Sequence, residues 1–453
     1  MTDILFVLLE DSIAGIITRT DAGDLYLDYE DEYARRPNPT ALSVSMPTAV
    51  KSHPDRVVTP WLWGLLPENA EVLSRWAIEF RVSSSSPFGL LGSPIGEDCA
   101  GAVRFARPDR LDRVLGVRAD VTWLSEDEVG QRLRDLRSDS TTWLGRSFTG
   151  RFSLGGNQAK TALMRRGGRW GLPLGSAPTT HILKPAIAGL VGHEINEHVC
   201  LDAARQCGLP AARTTIEHIG GEPALVVERY DRAEAGGRIL RVHQEDMCQA
   251  LGVPPSRKYQ SDGGPSSGDI ARLLRRALPP VAADEAVLAF ADALIWNWLI
   301  AGTDAHAKNY SMLLQGRKIY FAPLYDVASG LPYAVHEKKL RSAMKIGGDY
   351  RVWGNPGHDT WGTAAQELGL DPERLRLRVR DLGSRIADGF SDAAGTEQVR
   401  VMESPLPAKL VDLVAKRAAL CMRLVEPGRS AVPLAGPPGM PGLEAVEDDP
   451  PSL

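Results

Sequence analysis

The chain contains 453 residues, of which 43% are apolar and 24% are charged, and its formal net charge at pH 7 is -5. This composition is typical of a globular protein, and the length allows two or three domains that each bury their own core. The slightly acidic balance gives no global indication of nucleic-acid binding, although it leaves room for a local basic patch.

The N-terminal sequence MTDILFVLLEDSIAG carries acidic residues and lacks a basic n-region, so it predicts a first β-strand rather than a secretory signal. The longest apolar run, 287–301, is interrupted by Asp292 and Asn297 and is too short to cross a bilayer. The five cysteines are scattered and form no C-x-x-C pair, which predicts reduced, mostly buried thiols and no site built from metal ligands alone. We therefore expect a cytoplasmic protein that does not contact a membrane.

Residues 1–107 contain short alternating apolar runs that are separated by turns, namely LFVLLE, AGIITRT, LYLDYE and ALSVSMP. Together with a helix expected at 69–80, these runs predict a small β-rich domain. The four serines before Pro87 are typical of a turn that leads into a helix, and a phosphorylated linker is the alternative.

Residues 108–232 open with charged residues at helical spacing and continue into a β-hairpin that turns at Gly167 and Gly168. The segment THILKP predicts a short strand, and GHEINEHVCLDAARQCGLP predicts an amphipathic helix closed by Gly208 and Pro210. The strands TTIEHI and ALVVERYDR follow. This part therefore predicts a β-rich lobe with one main helix.

Residues 233–426 are mainly helical in period, with ADEAVLAFADALIWNWLIAG as the clearest helix and YSMLLQ and IYFAPLYDVAS as strands. Residues 427–453 are rich in Pro and Gly, which predicts a disordered tail. The predicted fold class is α+β, in which a small N-terminal β-rich subdomain precedes a β-rich lobe and a helical lobe.

The stretch WLIAGTDAHAKNYSML passes abruptly at Gly302 from an apolar helix into a cluster of polar side chains. Asp304 and Asn309 are five residues apart, as are the aspartate that positions a hydroxyl and the asparagine that binds magnesium in kinase catalytic loops. The same two residues would also cap an ordinary turn. The spacing alone leaves both interpretations open.

Two further charged groups favour phosphoryl transfer. Asp326 follows an apolar strand, where a magnesium-binding aspartate would reach nucleotide phosphates, although a lone aspartate there commonly ends a strand as a turn former. Lys184 lies in a strand, and Glu194 or Glu197 on the next helix would hold its ammonium group, although such pairs also occur on ordinary surfaces.

The segment SLGGNQAK is a candidate anion-binding loop. Gly155 and Gly156 allow backbone amides to approach an anion, and Lys160 lies close by in sequence. The segment matches neither a Walker loop nor the usual kinase glycine loop, so on its own it is a weak indication.

With these residues assembled, the chain resembles the HipA family of serine/threonine kinase toxins from bacterial type II toxin–antitoxin systems. The resemblance extends over nearly the whole chain before the tail. In the N-terminal part it rests on ALSVSMP, WGLLPE and GEDCAGAV. In the remainder it rests on SLGGNQAKTAL, THILKP, NEHVCLDAARQCGLP, VERYDR, QEDMCQALGVPPSRKYQSDGGP, GTDAHAKNYS and PLYDVAS.

The resemblance implies a two-lobed protein-kinase-like fold that uses ATP and Mg²⁺. It implies the N-terminal domain at 1–107, the β-rich lobe with phosphate loop and hinge at 108–232, and the helical lobe with the catalytic loop at 233–426. It further implies that Asp304 is the catalytic base and that Asn309 and Asp326 are magnesium ligands. Lys184 becomes the strand lysine of the catalytic set, with Glu197 as its partner.

The resemblance also implies the residues around the nucleotide. Glu228 and Tyr230 of VERYDR would flank adenine, and Ser153 would undergo an autophosphorylation that switches the kinase off. The implied nucleotide-contacting residues are Ser153, Gly155, Gly156, Gln158, Lys160, Lys184, Glu197, Glu228, Tyr230, His306 and Lys308. The chain departs from the family pattern in GGNQAK, in GGPSSG and in its Pro-rich tail, and none of these changes removes a residue needed for phosphoryl transfer.

The implied substrate is an aminoacyl-tRNA synthetase, typically the glutamyl enzyme, whose phosphorylation would stall translation and cause growth arrest or persistence. The implied partner is a small HipB-like helix-turn-helix antitoxin, through which the protein would reach operator DNA. The basic residues that could touch that DNA are Arg275, Arg276, Lys338 and Lys339, although solvated surfaces carry such pairs routinely.

Two other functions are compatible with the pattern. A catalytically silent corepressor would act only by binding its antitoxin, but a pure binding module would not need Lys184, Asp304, Asn309 and Asp326 together. A small-molecule or lipid kinase on a related fold would share the catalytic residues and differ in its substrate groove, but the N-terminal β-rich domain disfavours it.

Overall fold

The computed structural model describes residues 3–9, 11–116, 120–174, 177–352 and 359–425. The tail predicted at 427–453 lies outside these residues. Among the described residues, no helix is both long enough and apolar enough to cross a bilayer. All five cysteines are buried and free.

The first sheet is antiparallel, with its strands in the order β4-β3-β2-β1-β5. These strands are β1 (Asp3–Leu9), β2 (Ser12–Arg19), β3 (Leu25–Tyr29), β4 (Ser52–His53) and β5 (Val103–Ala106). The helices of this region are α1 (Asp31–Ala34), α2 (Asp55–Gly64), α3 (Ala70–Phe80), α4 (Pro87–Leu91) and α5 (Leu111–Gly116).

Local signals in this region are partly confirmed. Helix α3 begins after Asn69, whose side chain accepts hydrogen bonds from two backbone amides in the first turn of the helix. Helix α4 begins after Ser86, as the serine run predicts. The segment ALSVSMP, in contrast, forms no strand and contains only an isolated bridge between Ser43 and Met46. The reason is that the Val44 amide donates to the side chain of a distant residue, described below, rather than to a neighbouring strand.

The second sheet has six strands in the order β10-β11-β9-β7-β8-β6. They are β6 (Asp120–Leu124), β7 (Thr161–Arg166), β8 (Arg169–Leu174), β9 (His181–Pro185), β10 (Thr214–Ile219) and β11 (Glu222–Glu228), accompanied by α6 (Glu126–Ser138) and α7 (His193–Gln206). The hairpin turn at Gly167 and Gly168 is confirmed, because both glycines have positive φ. The sequence pattern predicts helix in the region of strand β6, so this strand was not predicted.

The remainder is mainly helical, as predicted, but it also contains short strands. The helices are α8 (Met247–Leu251), α9 (Ser267–Ala277), α10 (Pro280–Leu299), α11 (Thr360–Leu368), α12 (Pro372–Ala394), α13 (Glu397–Arg400) and α14 (Leu406–Val425). The strands are β12 (Arg232–Ala235), β13 (Arg238–Arg241), β14 (His243–Asp246), β15 (Ser311–Gln315), β16 (Lys318–Phe321), β17 (Arg341–Ile346) and β18 (Asp349–Arg351). Strands of three to six residues are too short to leave a clear period of two in the sequence.

The apolar core does not divide at residue 107. One buried cluster unites the first sheet and α2 with Trp143, Phe152 and Leu154, which precede β7. A separate large cluster packs α7 against α10, α12 and α14. The loop before β7 is therefore supported by the N-terminal part of the chain, through burial of apolar area worth roughly 25 cal/mol per Å².

A buried ionic cluster also joins the first sheet to the second. Asp98 lies within 3.4 Å of Arg229 and within 3.0 Å of both Arg232 and Arg241, and its carboxylate also accepts from Thr179. Burial alone would raise the pKa of Asp98, but the three guanidinium groups outweigh it and hold the pKa below its usual range. This cluster ties the residues after β11 to the N-terminal part.

A second buried acid joins the same two parts of the chain. Glu245 in β14 is 1% exposed, and its Oε1 accepts the Val44 amide at 2.7 Å. Burial is the main reason that the pKa of Glu245 rises to about 8. Its carboxyl group is therefore largely protonated in the folded protein near neutral pH.

This burial predicts a pH-dependent stability. The folded state holds the proton more tightly than the unfolded state, so the stabilisation is complete below about pH 4.5 and is lost as the pH rises through about 8. We expect the free energy of unfolding of Glu245→Gln, relative to wild type, to increase by up to about 4 kcal/mol between pH 5 and pH 9. Urea denaturation across this range measures the difference.

The exposed Glu285→Gln change on α10 is the matched control and should leave the pH profile of stability unchanged. A parallel profile for wild type and Glu245→Gln would contradict the assignment of a neutral buried carboxyl.

Candidate active site

A cavity of about 920 Å³ lies between the second sheet and the helical part. It is lined by nearly all of the predicted site residues, namely Gly155, Gly156, Gln158, Lys160, Lys184, Glu197, Glu228, Tyr230, Asp304, His306, Lys308, Asn309 and Asp326. Ser153 is the exception among the predicted residues. The fold therefore brings together groups that are separated by up to 171 positions in sequence, from Gly155 to Asp326.

Lys184 is the central cation of this cavity. Its Nζ donates to both carboxylate oxygens of Glu197, at 2.7 and 3.0 Å, and to Asp326 at 2.6 Å. Burial lowers the pKa of Lys184, but the two carboxylates outweigh this effect and raise it. The helical carboxylate that reaches Lys184 is thus that of Glu197, which resolves the choice left open with Glu194.

The two carboxylates respond differently to the same cation. Burial raises the pKa of Glu197, which is 2% exposed. Burial also acts to raise the pKa of Asp326, but Lys184 and Lys160 outweigh it and hold the pKa below its usual range. Asp326 therefore remains an anion that faces the cavity, as a cation ligand must.

The backbone at Asp326 is held in a strained conformation. Its φ is 57°, in the left-handed region that non-glycine residues rarely adopt. Such conformations persist only where the surroundings impose them, and they occur preferentially at functional sites. In this conformation the Asp326 carboxylate lies in the cavity and accepts a hydrogen bond from Lys184.

Helix α10 is a rigid base for the loop that carries Asp304. Its last turn is fixed by the buried Arg417 of α14, which donates to the Trp298 carbonyl at 2.5 and 3.0 Å. Gly302 follows the end of the helix by three residues, and a Cβ at this position would lie 2.3 Å from Oδ1 of Asn297, so a larger residue would have to displace that side chain. The abrupt change from apolar to polar residues therefore marks a tight reversal of the chain.

The loop after Gly302 is closed on itself. Asn309 donates from Nδ2 to the Asp304 carbonyl at 2.7 Å, which leaves its amide oxygen as the acceptor atom. The side chain of Asp304 is 65% exposed, whereas the neighbouring His306 is buried. The loop thus exposes the Asp304 carboxylate, while its hydrogen bond holds the Asn309 side-chain amide in place.

Lys308 has an internal role in addition to lining the cavity. It donates to Asp246 at 2.6 Å and to the Gly64 carbonyl, the last residue of α2, at 3.1 Å. Burial lowers the pKa of Lys308, but Asp246 and Glu68 outweigh it and raise it. The ammonium group therefore fastens the loop to both β14 and the N-terminal part.

In the loop before β7, the ammonium group of Lys160 lies close to the backbone of the loop itself. Lys160 donates to the Gly155 carbonyl at 2.7 Å and lies 5.0 Å from the centre of the Trp143 ring. Burial lowers the pKa of Lys160 to about 8. Gly156 has a φ of 96°, which only glycine adopts without strain.

Ser153, the predicted autophosphorylation residue, is fully buried in the described conformation. Its hydroxyl donates to the Leu65 carbonyl at 2.8 Å. It does not line the cavity. Phosphorylation at this position would therefore require that Ser153 first leave its present environment.

The predicted hinge residues, Glu228 and Tyr230, also line the cavity. The Glu228 amide is already used by the Arg213 carbonyl at 2.9 Å, so a contact from Glu228 to a base would use its carbonyl. The Tyr230 ring lies 5.7 Å from that of Tyr325, and its hydroxyl donates to Gln244.

The N-terminal part contributes cavity residues that sequence reasoning did not assign. Gly64, Glu68 and Asn69 all line the cavity, and the Glu68 amide donates to the Gly156 carbonyl at 3.0 Å. The Glu68 carboxylate pairs with Lys258 at 2.6 Å. The motif WGLLPE was a signal for this region, but the sequence did not show that it approaches the loop before β7.

Two family models match the chain, the HipA N-terminal domain at residues 5–106 and the HipA-like C-terminal domain at residues 152–390. The "Putative kinase Y4mE" of Sinorhizobium fredii is 35% identical over 419 residues, which cover 92% of this chain and 98% of that protein. The "Serine/threonine-protein kinase toxin HipA" of Shewanella oneidensis is 32% identical over 303 residues, which cover 63% of this chain and 66% of that protein.

A solved structure also matches nearly the whole chain. It is a chain from the Shewanella oneidensis complex of HipA, HipB and operator DNA, with a TM-score of 0.75 and 26% identity. The match covers 93% of this chain and 96% of that chain.

A strand lysine held by a helical carboxylate, at a cleft between a sheet and a helical lobe, is typical of protein-kinase-like folds, and the matched structure places the chain in this class. Within this class, the matching family models and relatives identify one family. The chain belongs to the HipA family of serine/threonine kinase toxins, and the resemblance inferred from its motifs is confirmed.

The cavity fits a magnesium–nucleotide group. Asp326 and the amide oxygen of Asn309 are hard oxygen donors of the kind that Mg²⁺ prefers, and both line the cavity. Lys184 and Lys160 supply buried positive charge for phosphate oxygens. When bound, the metal would neutralise charge that develops on the transferring phosphoryl group.

The central ion cluster gives a direct test. In Lys184→Met, Glu197 and Asp326 lose their shared counter-ion, so we expect a loss of about 3 kcal/mol in the free energy of unfolding. Phosphoryl transfer should fall by at least about 100-fold. Denaturant unfolding and transfer of label from ATP measure the two effects.

The matched control is Lys416→Met on α14, because that lysine is 72% exposed in its pair with Asp412. Adding Glu197→Gln to Lys184→Met should recover stability without recovering transfer, because it removes a stranded charge and restores no cation. Full activity in Lys184→Met would contradict the catalytic assignment.

Proposed function

We propose that this protein is a cytoplasmic serine/threonine protein kinase toxin that transfers the γ-phosphoryl group of ATP with Mg²⁺. The observation that carries the proposal is the accessible carboxylate of Asp304 on the same cavity as the Lys184–Asp326 pair. Phosphoryl transfer requires mainly positioning and charge neutralisation, and this cavity offers both.

Each group has a distinct role in the proposed reaction. Asp304 orients the hydroxyl of a protein substrate and accepts its proton. Lys184 and Lys160 balance phosphate charge, and Asn309 and Asp326 hold the metal. Lys308 keeps the loop of Asp304 in place through its buried contact with Asp246.

The proposed substrate is an aminoacyl-tRNA synthetase, with the glutamyl enzyme as the first candidate, so that activity would cause growth arrest or persistence. Family membership supports this choice, and direct phosphorylation of the purified synthetase would test it.

The proposed partner is a HipB-like helix-turn-helix antitoxin that brings the protein to operator DNA. The matched Shewanella oneidensis structure contains HipA, HipB and operator DNA, which supports this proposal. Of the basic residues considered for DNA, Arg275 donates to the Leu368 and Gly369 carbonyls at the end of α11, so it is engaged within the fold. Arg276, Lys338 and Lys339 are exposed.

Autophosphorylation at Ser153 is proposed as a self-limiting step. Ser153 is fully buried between Phe152 and Leu154 of the apolar cluster, where a phosphate with about two negative charges would be removed from water. A phosphorylated Ser153 would therefore leave its contact with Leu65 and displace the adjacent loop that carries Gly155. Loss of that loop geometry would reduce nucleotide binding.

The proposal predicts that Asp304→Ala abolishes label transfer to Ser153 and to the protein substrate without unfolding the protein. Loss of a positioned base lowers the rate by about 10²–10⁴-fold. Incubation of dephosphorylated protein with magnesium and labelled ATP, followed by peptide mapping, measures the transfer.

Asp388→Ala on α12 removes an exposed carboxylate and serves as the matched control. Undiminished label on the Asp304→Ala protein would sink the assignment of this residue. A wild-type protein that binds ATP but transfers no phosphoryl group to itself or to a synthetase would favour the corepressor function.

A further inference from the structure

The loop that precedes α9 is built to hold one side chain rigidly. Residues 254–264 contain two 3-10 turns, and the Gly264 and Asp262 amides both donate to the Tyr259 carbonyl, at 2.9 and 3.1 Å. A Cβ at Gly264 would lie 2.0 Å from the Arg257 carbonyl, so this fold of the loop needs glycine there. The backbone at Tyr259 is thereby fixed.

The loop is also fastened to the catalytic loop and to the N-terminal part. The Ala307 amide donates to the Lys258 carbonyl at 3.3 Å, and the Lys258 ammonium group pairs with Glu68 at 2.6 Å. The same ammonium group lies 5.3 Å from the centre of the Tyr259 ring. Tyr259 is therefore supported from two other segments of the chain.

The hydroxyl of Tyr259 points directly at the accessible carboxylate. It donates to Oδ1 of Asp304 at 2.5 Å. The Tyr259 ring packs edge-on against His306, with 4.9 Å between the ring centres, and His306 Nε2 lies 3.8 Å from the same Oδ1. Both protein contacts thus converge on one carboxylate oxygen.

The second oxygen is left available. Among the hydrogen bonds of the described residues, none reaches Oδ2 of Asp304. A carboxylate whose one oxygen is held by a hydrogen bond keeps a single rotamer, and its other oxygen then points in a fixed direction. Burial and the contact with Asp304 raise the pKa of Tyr259, so its hydroxyl keeps the proton that it donates.

We propose that Tyr259 is a positioning residue for phosphoryl transfer, whose hydroxyl holds Asp304 so that Oδ2 receives the hydroxyl group of the protein substrate. The inference rests on the proposed kinase function and adds a residue from outside the catalytic loop. Tyr259 does not contact the transferring group itself.

A competing role for the same contact makes the opposite prediction. If the Tyr259 hydroxyl occupied the position of the substrate hydroxyl, it would inhibit the enzyme, and its removal would increase transfer. The free Oδ2 and the rigid mounting of the loop favour positioning, because an occupant of the substrate position would need to move away in each cycle.

The test is Tyr259→Phe in the full-length protein, which keeps the ring contacts with His306 and Lys258 and removes only the hydroxyl. Transfer of γ-label to casein, a generic serine acceptor, is followed at varied ATP concentration, with active sites counted by calorimetric MgATP titration. We expect kcat per binding site to fall roughly 10- to 100-fold, while the KM for ATP changes less than about twofold.

Tyr320→Phe on β16 is the matched control, because this tyrosine is 47% exposed, and it should keep wild-type kinetics. An active wild type with equal or higher kcat in Tyr259→Phe would overturn the inference and leave the kinase function intact. A wild type that binds MgATP and labels neither casein, nor Ser153, nor the purified glutamyl-tRNA synthetase would overturn the proposed function and this inference with it. If only the synthetase is labelled, it replaces casein as the acceptor in the comparison with Tyr259→Phe. Normalisation to counted sites separates lost positioning from lost folding.

Discussion

The buried ammonium group of Lys184 is the constraint on which the rest of the structure depends. A charge removed from water costs several kcal/mol unless its partners are well placed, and Lys184 finds Glu197 on α7 and Asp326 beyond β16 within 3.0 Å. The strand, the helix and the later loop must therefore meet at one point. These contacts fix the position of the cleft between the sheet and the helices. They also offset the energetic cost of the strained backbone at Asp326.

Much of the fold was predictable where the local signal was strong. Helix α10 has a long apolar pattern, α3 has the Asn69 cap, and the hairpin after β7 has a paired-glycine turn, so each was found. The signal failed where structure depends on distant partners. The segment ALSVSMP alternates like a strand but gives its Val44 amide to Glu245, some 200 residues away, and strand β6 lies in a stretch whose charges suggest helix.

The candidate site was predictable as a set of residues but not as a geometry. Sequence spacing and family motifs named Lys184, Asp304 and Asp326, and all three line one cavity. Sequence could not reveal that Ser153 is fully buried, because burial arises from packing against the N-terminal cluster. It also could not reveal Glu68 or Tyr259, whose importance comes from contacts across the chain rather than from a pattern of neighbours.

The ionic cluster around Asp98 bears on how this protein can evolve. Its acid lies in the stretch matched by the N-terminal family model, and its three arginines lie in the stretch matched by the C-terminal one. A gene that lost or exchanged its first hundred codons would leave Arg229, Arg232 and Arg241 with Asp231 as the remaining acid of the cluster, and would uncover Phe152. Recombination at the boundary between the two stretches would therefore cost stability unless the incoming segment supplied an equivalent acid and an equivalent apolar surface.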